Sequence, residues 1–246
     1  MIGIVHRRMG PLIVGLALTF ASGSGALARD IKTSAQFDVS VGVIRAGVFW
    51  LEGSTSRRAY TVSGGFQTSG LIGGVTNVEI ALSARGAIRN GSFQPSSYRE
   101  DVSVGRRSGA ITMEYETGTP TVAGQKYRDD DERTPVDPAT QKGTLDPLTA
   151  TFALLRRQPL NGACRLDRFQ FDGERRTRIV MTTLTQDGEA WVCTGQFLRL
   201  EGYSARDLRR SGVVDVTVRY ALAGDDLVAT EAQFASLRGV LRLTRR

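Results

Sequence analysis

Gly143-Thr-Leu-Asp-Pro-Leu-Thr-Ala-Thr-Phe-Ala-Leu-Leu-Arg-Arg157 is the stretch whose apolar residues recur at helical spacing in a chain that otherwise alternates like a sheet. Asp146 can cap the free N–H groups of a first turn and Pro147 suits the first helical position. Leu148, Phe152 and Leu155 then fall on one face at i, i+4 and i+7. Such a face needs a sheet to cover. The fold expected is mainly β: a highly curved antiparallel sheet, or an open β-barrel or spiral, with one principal α-helix plugging or capping it.

Downstream of the helix, Pro159 to Gly162 returns the chain to strands. Cys164 to Leu166 and Phe169 to Phe171 differ in parity, which predicts a bulge. Asp172-Gly173 and Asp187-Gly188 are hairpin turns, and between and after them Arg178–Leu184 and Trp191, Cys193, Phe197 each supply a strand face. A short helical turn fits 204–210. Val214 to Leu222 gives the strongest alternation, turned by Gly224 to Asp226 into Val228–Ser236, and Val240–Thr244 closes the sequence.

Upstream, Phe37, Val39 and Val41 alternate with polar residues, and Arg45-Ala-Gly47 is expected to turn the chain into Val48-Phe-Trp-Leu51, an apolar run either buried on both faces or forming a barrel wall under another element. Tyr60, Val62 and Phe66 continue the scheme, Thr68 to Gly74 breaks it, and Val78, Ile80 and Leu82 resume it. Asn90-Gly91 marks a hairpin. After Ile111, Met113 and Tyr115 the alternation stops, and 117–142 reads as one long polar loop. No fixed-period repeat is present, and ten to twelve strands are expected.

Residues 1–28 have the form of a cleavable export signal: basic His6-Arg-Arg8, an apolar run from Pro11 to Phe20, and the small-residue site Ala26-Leu-Ala28. The expected mature chain, 29–246, is one β-barrel-like domain, periplasmic and not membrane-spanning. The formal net charge of +7 is mostly dispersed arginine and includes Arg7 and Arg8 of the leader. Dispersed arginine covers solvated strands more often than it reads nucleic acid, and no nucleic-acid partner is expected. In an oxidising compartment Cys164 and Cys193, the only cysteines, are expected to form a structural disulfide.

Several segments together resemble a bacterial exported family, domain of unknown function 3108. They are Arg45-Ala-Gly47 after an alternating strand, Thr68-Ser-Gly-Leu71, Pro95 to Tyr98, Gly143-Thr-Leu-Asp-Pro147, and Cys164 through Phe171-Asp-Gly173. The resemblance spans nearly the whole of 29–246. It implies an envelope protein with a curved β shell broadly similar to those of periplasmic lipoprotein carriers, and it assigns no activity.

The only histidine is His6, within the leader, so the rest of the chain lacks the usual base, zinc ligand and neutral-pH switch. No enzyme activity, metal or cofactor is expected. The acidic run Arg128-Asp-Asp-Asp-Glu-Arg133 lacks the spacing of a Ca²⁺ loop. A carboxylate-dependent hydrolase is the outlying alternative, built from Asp167, Asp172, Glu189 and Asp215 if strands bring them face to face. The principal expectation is a non-catalytic envelope protein that encloses an apolar cavity for a lipid or lipoprotein. Trp50, Trp191, Phe197, Leu148, Phe152 and Leu155 either line that cavity or fill a core. The competing expectation is an envelope scaffold that recruits another protein through the 117–142 loop or a strand edge.

Overall fold

The computed structural model describes residues 30–69, 77–127, 134–236 and 239–246. Residues 1–29, most of the break at 68–74 and the run 128–133 lie outside the described residues. Among the described residues fourteen strands form one sheet with antiparallel pairing throughout. A first meander comprises β1 (Ile31–Val41), β2 (Ile44–Thr55), β3 (Ala59–Thr68), β4 (Val78–Arg89), β5 (Ser92–Val104), β6 (Arg107–Glu116) and β7 (Thr119–Gln125). A second comprises β9 (Leu166–Phe171), β10 (Arg176–Asp187), β11 (Ala190–Glu201), β12 (Val213–Ala223), β13 (Asp226–Ser236) and β14 (Gly239–Arg245). Pairing of β1 with β14 joins the two meanders, and the two-residue β8 (Gln158–Pro159) adds to β13. Among the described residues the sheet therefore runs from β7 at one end to β9 at the other without closing on itself.

The turn chemistry explains the hairpins and two departures from the sequence reading. Asn90 and Gly91 both take positive φ, 50° and 76°, as a two-residue hairpin turn demands. The first hairpin turns at Gly42 (φ 59°) rather than at Arg45-Ala-Gly47, which lies within β2. Residues 117–142 are not one loop: Thr117 and Gly118 turn the chain at φ 50° and 84° into β7, and Pro138–Thr140 is a 3-10 turn capped by Asp137. As an edge strand β7 buries only Pro120, so it needs no apolar alternation and left none to read. With β7 and β8 the strand number exceeds the expected ten to twelve.

Helix α1 (Pro147–Leu155) forms where the sequence places it and lies inside the curved sheet, touching β3, β4 and β5 of the first meander and β9 and β13 of the second. Six of its nine residues are buried, on all sides, so it is a plug and not a surface amphipath. A second, short helix, α2 (Ala205–Ser211), is capped by Ser204. Among the described residues no helix is long and apolar enough to cross a membrane.

The gap between β7 and β9 is spanned by the chain leading into α1. Leu145 N–H donates to Phe169 O and Leu145 O accepts from Phe171 N–H, both at 2.9 Å, so this segment covers the edge of β9. Gly143 N–H donates to Gly118 O and Val136 N–H to Glu174 O, each at 2.8 Å. Lys126, just past β7, clasps the seam: its Nζ lies 2.9 Å from Glu100 Oε1 and donates to Asp172 O at 2.8 Å.

Candidate apolar binding site

The helix is anchored to one side of the shell. At its N-terminus Asp146 Oδ1 accepts from Thr149 N–H at 2.7 Å, and Oδ2 accepts from the Thr149 hydroxyl at 2.6 Å. Tyr60 of β3 extends this chain, its hydroxyl 2.8 Å from Thr149 Oγ1. All three residues are buried. Burial pushes the Asp146 carboxyl up to about 6, against the opposing pull of its hydrogen bonds from Thr149. One turn on, the Phe152 ring packs on Tyr60 and Phe93, with centroids 6.5 and 6.1 Å away. That ring sits where strand β2 has no side chain: a Cβ on Gly53 would lie 2.8 Å from Phe152 Cε2. Leu148 is seated similarly over Gly64.

The other side of α1 is looser. Ala150, Thr151, Leu154 and Leu155 face the second meander across a cavity of about 230 Å³. Its walls include Phe49, Phe197, Val218, Ala232, Phe234 and Leu241, and its main polar contributor from the sheet is Gln170. Two of the residues that line it are small, Ala150 on the helix and Ala232 on β13. Phe49, Phe197, Phe234 and Leu241 are only partly buried, so the cavity opens at the end of the shell where β1 turns into β2 and β13 leads to β14. The helix C-terminus at the far end is held: Tyr220 Oη and Gln158 Nε2 donate to Leu154 O at 2.9 and 3.3 Å.

The six residues singled out from sequence separate into three groups. Leu155 and Phe197 line the cavity. Leu148 and Phe152 lie on the anchored side of α1, filling the core, and Trp191 packs against the core from β11. Trp50 faces outward, 37% exposed, while its neighbour Leu51 is fully buried, so the run Val48–Leu51 is buried on one face only. Of the remaining wall, Phe234, Leu241 and Leu243 carried a signal, the alternation of the last two strands; Ala150 and Ala232 carried none.

Cys164 and Cys193 form a disulfide with Cα atoms 5.5 Å apart, tying the chain that leaves α1 to β11. The four strand carboxylates do not converge. Asp167 is in a two-pronged pair with Arg178, which holds its pKa below the usual range. Asp172 Oδ1 caps its own turn by accepting from Glu174 and Arg175 N–H, Glu189 is exposed, and Asp215 is exposed and accepts from Gln196.

Comparison with known proteins gives a family and a fold likeness. The family model described as "Protein of unknown function (DUF3108)" matches residues 36–191. The chain is similar to the crystal structure of a β-barrel-like protein of domain of unknown function DUF1849 from Brucella abortus, with a TM-score of 0.48 and 12% identity, over 88% of this chain and 96% of that one. A search of curated proteins finds no match.

Proposed function

Because the chain belongs to the DUF3108 family, whose description assigns no activity, we propose on the site alone that it is a non-catalytic binding protein of the cell envelope. It takes the apolar segment of a lipid or lipoprotein between α1 and the second meander. The observation that carries this reading is the open cavity of about 230 Å³ with apolar walls beside an otherwise filled core. A space of that size is below the roughly 300–1,000 Å³ of drug-sized pockets and suits a short length of acyl chain rather than a whole lipid. Export rests on the form of residues 1–28, and the non-catalytic reading on a chain without histidine beyond that segment.

Native mass spectrometry of the protein purified from its own host tests this. The expected spectrum holds a species heavier by a lipid-sized mass that collisional activation removes; a clean mass of the chain alone overturns the reading. The scaffold alternative keeps one observation, the outer edge of β7, which among the described residues pairs with no strand but β6. A photo-crosslinker at Ala123 that captures one defined envelope protein would favour it.

A further inference from the structure

A second pocket, of about 470 Å³, lies where β4 turns into β5 and β6 into β7, the opposite end of the shell from the mouth of the apolar cavity. Arg89, Lys142 and Arg168 line it from three separate segments, and no carboxylate lines it. Some arginines elsewhere on this surface are paired, as Arg99 with Asp101, Arg178 with Asp167 and Arg219 with Asp187, while others such as Arg57 and Arg106 stand, among the described residues, singly in solvent. Among the described residues none of the three pocket cations has an ion-pair partner. Arg168 Nη2 donates to Gly143 O at 3.1 Å, which leaves the rest of its fork unengaged. Tyr115 lines the same wall with atoms other than its hydroxyl, which is buried toward the helix side.

Three uncompensated cations around one concavity repel one another. An anion relieves that repulsion. A phosphate offers several acceptor oxygens and matches the fork of a guanidinium. Asp146 is fully buried on the helix side and does not line the pocket. We infer that this pocket binds a phosphate monoester, held by Arg168 and Lys142. The inference stands apart from the apolar cavity.

Calorimetric titration of the full chain with inorganic phosphate, glycerol 3-phosphate and dihexanoyl phosphatidic acid, with dihexanoylglycerol as the uncharged control, tests it. Saturable binding of the phosphates is expected, weakened at least tenfold in the K142Q/R168Q double variant. Phosphatidic acid binding at least tenfold tighter than glycerol 3-phosphate identifies an amphiphile headgroup as the source, and equal binding a free phosphate ester; both support the site. Absence of phosphate binding, or binding indifferent to K142Q/R168Q, overturns it. Filling the apolar cavity by Ala232→Leu should leave these affinities unchanged, which separates failure of this site from failure of the cavity.

Discussion

At the scale of the residue, Asp146 does two things that oppose each other. Its oxygens satisfy the Thr149 N–H and hydroxyl at the buried start of α1, yet the same burial penalises its charge and raises its carboxyl to about 6 from an ordinary 3.8. The folded state thus keeps its proton to higher pH than the unfolded chain does. This group's contribution to stability falls as pH rises from about 4 to about 6 and is flat above, a loss on the order of 3 kcal/mol. In Asp146→Asn the amide oxygen can still accept from Thr149 N–H, but nothing ionises. Guanidinium unfolding at pH 4.5 and 7.5 should show the parent losing stability across that interval relative to D146N. Parallel pH profiles for the two proteins would refute the assignment. Asp146 as a cap was legible from its place before Pro147; its burial was not, because that depends on Tyr60, 86 positions earlier in the chain, closing over Thr149.

At the scale of the element, α1 is positioned by what two strands lack. Gly53 and Gly64 leave notches in β2 and β3 into which Phe152 and Leu148 fit. In Gly53→Ala the new methyl would meet both the Phe152 ring and Thr61 O, at 2.8 and 2.7 Å, so either the ring or the backbone must shift. The expected destabilisation is about 1–3 kcal/mol, read from the denaturant midpoint. An unchanged midpoint would mean the helix is not seated there. The helix itself was readable from its 3.6-residue period and its cap. Which side of it would be tight and which loose was not, since the glycines on the one side and the alanines on the other carry no periodic signal. Trp50 shows the converse limit: an apolar run of four invites burial on both faces, but strand parity sends Trp50 outward while Leu51 goes in.

At the scale of the whole molecule, two meanders share one core and are joined by strands at β1 and β14, and on the other side, among the described residues, by the 134–146 segment and Lys126. Alternation gave the strands, and Asn90-Gly91 and the later Asp-Gly pairs gave turns. The meeting of β1 with β14, and the seam opposite, depend on contacts between distant parts of the chain that no local pattern encodes. Lys126 and Glu100 are mostly buried, with side chains 12% and 13% exposed. Lys126→Met leaves Glu100 without its counter-charge, at a loss of about 3 kcal/mol. Hydrogen exchange should then show β7 and the 134–146 segment losing protection before β1 and β14; uniform loss across the sheet would contradict a seam.

On the proposed function, the space between α1 and the second meander admits an apolar guest. The most direct test is titration of the protein with a fluorescent fatty acid, in the parent and in Ala232→Leu, whose added side chain would occupy the cavity that Ala150 and Ala232 line. Saturable one-to-one binding in the parent, lost or weakened at least tenfold in a folded A232L, is the predicted result. No saturable binding to the parent, or equal binding to both proteins, would contradict it.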